Sequence, residues 1–135
     1  MRPTLILAAL ALWACPAAAQ PWQLGLHLAT AHQRGGYEDA TPGLYARDPS
    51  GLTFGLLRNS MGRTSLYAAQ TWQTDSRRWA LTAGVISGYP RAPLVPLLSA
   101  SARVELGAGR ALRLALLPKP PGGSAALHLA FEIDH

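Results

Sequence analysis

The segment Ala126 to Ile133, ALHLAFEI, alternates without a break: Leu127, Leu129, Phe131 and Ile133 share one face, and Ala126, His128, Ala130 and Glu132 share the other. A period of two marks a strand, because successive side chains of an extended backbone point to opposite sides. The preceding segment repeats the pattern, with Leu112, Leu114 and Leu116 opposing Ala111, Arg113 and Ala115. Joined through Pro120-Pro121-Gly122-Gly123, the two read as a hairpin with one greasy face and one small or polar face.

The same reading extends back along the chain. No segment sustains a helical period, and short apolar runs recur between turn signals, which predicts an all-β fold. The strands are expected at Trp22–Ala31, Gly43–Arg47, Leu52–Arg58, Thr64–Gln73, Arg78–Ser87, Leu97–Leu106, Ala111–Leu117 and Ser124–Ile133. Turn chemistry separates them: Asp48-Pro49-Ser50-Gly51, Ser60-Met61-Gly62, Thr74-Asp75-Ser76 and Gly107-Ala108-Gly109. Consecutive hairpins make a meander, and closing it into a single up-and-down antiparallel β-barrel of about eight strands removes the exposed edges. The greasy face would point at lipid in a membrane barrel and inward in a soluble, lipocalin-like one. The alternation fits both. Strands shorter than about 9–11 residues weigh against the membrane form, as does an end in Asp134-His135 where outer-membrane barrels commonly close on an aromatic.

The beginning of the chain reads as a secretory signal. Arg2 precedes an apolar run from Leu5 to Trp13, and Ala17-Ala18-Ala19 supplies small residues for cleavage, so residues 1–19 are expected to leave and 20–135 to form one barrel domain. The apolar run is too short to span a bilayer as a helix. Cys15, the one cysteine, would depart with the signal, leaving an exported chain with no disulfide. Leu12-Trp13-Ala14-Cys15 roughly resembles a lipoprotein processing site, but Trp13 is bulky for one and Pro16 follows directly. Losing Arg2 lowers the formal charge from +5 to +4. The arginines are scattered singly, which with export argues against nucleic acid and suits anionic headgroups or lipopolysaccharide phosphates, since guanidinium binds phosphate bidentately.

Three features are candidates for chemistry. Asn59-Ser60 ends an apolar strand, either as a turn or as a hydroxyl with a polar neighbour. His27 stands on an apolar first strand, with His32 close by. Prolines punctuate two stretches, Pro90, Pro93 and Pro96 in one and Pro118, Pro120 and Pro121 in the other. They read as loops or, functionally, as gaps in the barrel wall where missing N–H donors would let an acyl chain enter sideways.

In order and spacing, the chain from about Gly51 to Phe131 resembles the lipid A palmitoyltransferases, small eight-stranded outer-membrane barrels that move an acyl chain from a phospholipid to lipid A. LTFGLLRNSMGR resembles the family segment in which an aspartate and a serine end a strand. LYAAQTW resembles the next strand through its tryptophan, here Trp72. LTAGVISGYPRAPLVPLLSAS resembles the proline-punctuated connection and ALLPKPPGGSAALHLAF the last hairpin. The resemblance puts the family's serine on Ser60 and its histidine on His27. Its aspartate falls on Asn59, a departure. As implied roles, His27 would be the general base and Ser60 an oxyanion donor or a positioning group, because the attacking hydroxyl belongs to the acceptor, while the Asn59 amide, unable to charge up a histidine as a carboxylate does, can still donate to an oxyanion. The family's pocket-floor glycine, just before the tryptophan, is replaced by Thr71, which implies a shorter chain than palmitate. Trp72, Pro93, Pro96 and Pro118 are the other implied substrate contacts. The family's amphipathic helix before the first strand is missing here, since Trp22 follows the cleavage point almost at once.

The remaining side chains suggest structure. His128 and Glu132 are placed to meet Arg113 across the last hairpin in a lumen network. Trp22, Tyr67, Trp72, Trp79 and Tyr89 suit either interface girdles or packing. Four widely spaced histidines without cysteines make no metal set, and no phosphate loop or cofactor motif occurs. The expectation is therefore an exported barrel acting at the outer membrane on a phospholipid donor and a lipopolysaccharide acceptor. Asn59 and Thr71 favour an alternative, the same barrel holding a lipid or other apolar ligand without turning it over. An envelope scaffold is a third reading.

Overall fold

A computed structural model describes residues 20–118 and 124–135. The expected signal segment, Cys15 and the Pro120–Gly123 turn lie outside the described residues. Eight strands run in chain order: β1 (Gln23–His32), β2 (Ala40–Arg47), β3 (Leu52–Arg58), β4 (Thr64–Gln73), β5 (Trp79–Ile86), β6 (Val95–Gly107), β7 (Arg110–Leu117) and β8 (Ala126–Asp134). Each pairs antiparallel with the next, and β8 returns to β1, so the sheet is a closed up-and-down barrel. Closure satisfies edges that an open meander would expose.

An even strand number brings both described ends to one rim, where the His135 amide donates to the Trp22 carbonyl at 2.8 Å. The tight turns 48–51, 74–78 and 108–109 lie at this end. The longer connections 33–39, 59–63 and 87–94, and the one beginning at Pro118, surround the other end, called the rim below.

The structure settles which face of the alternation is inside. Leu44, Phe54 and Leu66 are 56, 57 and 61% exposed on the outer wall, and Leu114, Leu116 and Leu127 are exposed on the outer face of β7 and β8. Thr41, Thr53, Ser65, Thr71, Arg113 and Glu132 are buried in the lumen. This is the order of a barrel with an apolar outer face, the reverse of a lipocalin-like one. Trp22 and Trp79 are exposed near the turn end, whereas Tyr67 points into the lumen. Among the described residues no helix is long and apolar enough to cross a membrane, a statement about helices alone.

Strand bounds agree with the sequence reading to the residue at β3 and β4 and shift by one or two residues at β1, β5, β7 and β8; the informative differences are at β2 and β6. β2 starts at Ala40, three residues before the expected Gly43, and takes in Pro42. β6 starts at Val95, so Pro96 lies within a strand, paired with Val85 of β5, instead of breaking one. Among the described residues the β6–β7 ladder begins at Ala100↔Leu116, so Pro96 has no described ladder partner on that side, a position where proline is tolerated.

Tyrosine and glycine alternate around the lumen in one row. Tyr67 of β4 pairs with Gly55 of β3, which pairs with Tyr45 of β2, which pairs with Gly25 of β1, which pairs with Glu132 of β8. A Cβ on Gly25 would lie 2.0 Å from the Tyr45 ring, and one on Gly55 2.4 Å from the Tyr67 ring. Each ring therefore lies flat over a neighbouring backbone, a space only glycine leaves.

Candidate functional site

At the turn end the lumen is filled with charge. Glu132 accepts from Arg47 Nη1 at 3.0 Å, Arg113 Nε at 2.6 Å, Arg103 Nε at 3.0 Å and the Tyr45 hydroxyl at 2.5 Å. Arg103 also reaches Asp134 at 3.0 Å, and Arg47 reaches Gln23 Oε1 at 2.9 Å. One carboxylate against three guanidiniums is tolerable in a desolvated place only because nearly every donor has an acceptor. Gln23 and Glu132 are 1 and 0% exposed, so this cluster forms a floor.

Above the floor a cavity of about 770 Å³ extends to the rim. Its deeper wall carries hydroxyls and rings, including Thr53, Thr82, Ser101, Tyr45 and Tyr67, and its upper wall is more apolar, with Leu57, Ile86, Leu97 and Leu117. Pro96 and Leu98, exposed on the outside of β6, also line it, as does Pro118 after β7. The cavity therefore reaches the wall beside Leu98 and Ser99, which have no β7 ladder partner among the described residues. Among the described residues the wall lacks ladder bonds at Leu98 and Ser99, opposite the end of β7, and this is the place for a lateral seam between β6 and β7.

The structure places His27 deep in this cavity. Its Nδ1 meets His128 Nε2 at 2.7 Å and its Nε2 meets the Tyr67 hydroxyl at 2.8 Å. The Tyr45 ring is 4.8 Å away, tilted at 44°. His128 Nδ1 meets Thr30 Oγ1 at 2.7 Å, and Thr30 meets Thr41 at 2.8 Å. A bulge follows His27, the register moving from His27↔Ala130 to Ala29↔Leu129, and it turns Thr30 inward beside His128.

Asn59 and Ser60 line the same cavity at the rim. Asn59 is fully buried, and its amide serves the turn: Nδ2 donates to Ser65 Oγ and to the Gly88 carbonyl, both at 3.0 Å, while Oδ1 accepts from the Met61 and Arg63 amides at 2.9 and 3.1 Å. The Ser60 carbonyl accepts from the Glu38 amide at 2.8 Å, and its hydroxyl has no partner among the described residues. His27 pairs with Gly43, and Gly43 with Leu57. Ser60 therefore stands two strands across and three residues further along, about 10 Å in each direction at ordinary strand spacings. His27 belongs to the deep row and Ser60 to the rim, so the two share a cavity without touching.

Of the implied substrate contacts, Pro96 and Pro118 line the cavity beside the seam. Pro93 lies exposed in the β5–β6 connection. Trp72 points outward, 38% exposed, and lines an apolar groove on the outer wall instead of the lumen. Thr71 is buried and bonds Thr53 and Thr82 at 3.2 and 2.9 Å, so it acts on the cavity through two residues that line it. His32, the other histidine candidate, stacks on Tyr37 at the rim, ring centroids 4.5 Å apart. His128 bonds His27 and Thr30, whereas the expected Arg113 contact is made by Glu132 alone. Among the described residues no group of three or more metal-ligating side chains occurs.

No protein-family model matches the chain, and no curated protein matches it. Sequence reasoning missed Tyr67 and Tyr45 as members of the site. The available signal was Gly25 and Gly55 at inward strand positions, where each leaves room for the tyrosine of a neighbouring strand.

Proposed function

We propose that this barrel resides in the outer membrane, takes an acyl chain of a bilayer lipid into its lumen through the β6–β7 seam, and transfers it from phospholipid to lipid A. The observation that carries the reading is the pairing of a lumen closed at one end by charge with a cavity that, at the other, reaches the wall where the described β6–β7 ladder stops at Ala100↔Leu116. A solute carrier would need a through-path, and a porin a wet channel. A chain-holding site needs a blind cavity reached from the lipid side. The apolar outer wall and the exposed tryptophans near the turn end suit a bilayer setting. His27 supplies a base within the same cavity, and the unpartnered Ser60 hydroxyl supplies a donor at its mouth.

A second reading is favoured by one observation: the Asn59 amide is committed to its turn, so no side chain joins Ser60 to His27. On that reading the lumen holds a lipid chain and does not transfer it. The full precursor, expressed in a Gram-negative host lacking its own palmitoyltransferase, separates the two. Mass spectrometry of lipid A should show an added acyl group, shorter than palmitate if Thr71 raises the cavity floor. Unchanged lipid A, with a lipid co-purifying with folded barrel, would establish holding without transfer.

A further inference from the structure

The hydrogen bonds around His27 have a property that none of them has alone: they form one chain with a consistent direction. If Tyr67 donates to His27 Nε2, then His27 Nδ1–H donates to His128 Nε2, His128 Nδ1–H to Thr30, and Thr30 to Thr41, with every group neutral and satisfied. Reversing every bond gives an equally satisfied chain. A row of donors with two complete settings passes a proton by flipping, and it has two ends that meet the cavity, Tyr67 and Thr41.

His27 itself is not an end. Both its ring nitrogens are occupied, so a hydroxyl entering the cavity finds no free imidazole lone pair. The Tyr67 oxygen uses one bond, to His27, and keeps a lone pair for a ligand. Its ring is pinned flat over Gly55, which fixes where that oxygen stands. Resting on the acyl-transfer reading above, we propose that Tyr67 is a catalytic residue of the site and meets the acceptor hydroxyl, with His27 and His128 as the relay behind it.

The step balances as follows. The acceptor O–H proton passes to the Tyr67 oxygen as the Tyr67 proton passes to His27 Nε2, leaving the positive charge on the two imidazoles. The acceptor oxygen bonds the donor's acyl carbon, and the acyl carbon–glycerol oxygen bond breaks. The proton returns through Tyr67 to that glycerol oxygen, releasing lysophospholipid and regenerating the neutral chain. His128 acts through His27, taking the Nδ1 proton's hydrogen bond and so sharing the charge; it is a positioning residue. The Glu132 carboxylate, bonded to Tyr45 beside His27, and the Arg47 and Arg113 guanidiniums are the charged groups facing this row.

The test compares wild type, Tyr67→Phe and His128→Gln in detergent with a phospholipid donor and purified lipid A, alongside imidazole nitrogen NMR. Tyr67→Phe keeps the ring over Gly55 and removes the hydroxyl alone. The expected result is a fall in kcat of at least 100-fold with KM nearly unchanged, and a shift of the His27 Nε2 resonance, whose hydrogen-bond partner is removed. His128→Gln, whose amide can replace the imidazole as Nδ1 partner, should retain more transfer than His128→Ala. Tyr67→Phe turning over like wild type would overturn the relay and leave the acyl-transfer reading standing. Wild type that transfers nothing while folded would overturn both.

Discussion

Two arginine–glutamate pairs of the same length stand at opposite ends of this barrel. Arg47–Glu132 at the floor and Arg58–Glu38 at the rim both close to 3.0 Å, but the floor side chains are 5 and 0% exposed and the rim side chains 56 and 47%. At the rim, water solvates both partners whether or not they meet. At the floor, neither charge has a partner other than protein, so the pair is held by the cost of separating it. Equal geometry thus marks a rigid, sealed end and a hydrated, adaptable one, and the cavity lies between them.

The largest break in that comparison is Glu132→Gln. It preserves shape and removes the one carboxylate that three guanidiniums share, so stability should fall by about 3–5 kcal/mol, as for one partner of a buried ion pair. Urea unfolding in detergent measures it. A loss under about 1 kcal/mol would mean that water reaches the floor and that the lumen is not sealed at this end.

Asn59→Asp comes next, and its direction sharpens the site. An aspartate there would restore the residue type that the family resemblance implies. In this fold, however, Nδ2 donates to Ser65 Oγ and the Gly88 carbonyl, and an oxygen in its place would face that carbonyl without a proton. Buried and unsatisfied, it should destabilise the barrel by about 1–3 kcal/mol. A gain in acyl transfer without loss of stability would show that the turn rearranges and that Asn59 is replaceable as a cap.

The uneven legibility of the chain has the same physical origin. Strand number, order and closure were readable because alternation and turn chemistry are local, and the β3 and β4 bounds, Leu52–Arg58 and Thr64–Gln73, agree to the residue. β2 was read short because Thr41 and Pro42 carry no apolar signal; Thr41 is held inward by its bond to Thr30. Which face pointed inward was not readable from Leu127 or His128, since both barrel kinds share that period. His27 was found through resemblance, but its partners come from β4 and β8, 40 and 101 residues away, and only the closed barrel brings them together. Trp72 followed the family position onto a strand whose next inward residue is Thr71, and a period of two then sends Trp72 outside.

Thr71→Ala tests the deeper wall more gently. The hydroxyl links Thr53 and Thr82, so its loss should cost about 1 kcal/mol, the net value of a hydrogen bond in a wall whose remaining hydroxyls can pair elsewhere. If Thr53 and Thr82 relax outward, the cavity deepens, and on the acyl-transfer proposal the chain added to lipid A should lengthen. An unchanged chain length with the expected stability loss would place the limit at the floor cluster instead.

The smallest effect belongs to the rim. Arg58 grips Glu38 in bidentate form, Nε to Oε2 at 3.0 Å and Nη2 to Oε1 at 3.2 Å, and bidentate geometry alone would suggest strength. Exposure decides otherwise: with both side chains about half in water, Glu38→Gln should change stability by about 0.5 kcal/mol or less, and that difference should fade as salt rises from 0.05 to 0.5 M, roughly a threefold shortening of the screening length. The Glu38 backbone still donates to the Ser60 carbonyl in the variant, so the loop can keep its path while its side chain is freed. A large loss that survived salt would mean that the pair is shielded as the floor is, and that the 33–39 and 59–63 connections close over the cavity mouth in solution. A small, screened loss would confirm an open rim above a sealed floor, the arrangement a blind lipid site requires.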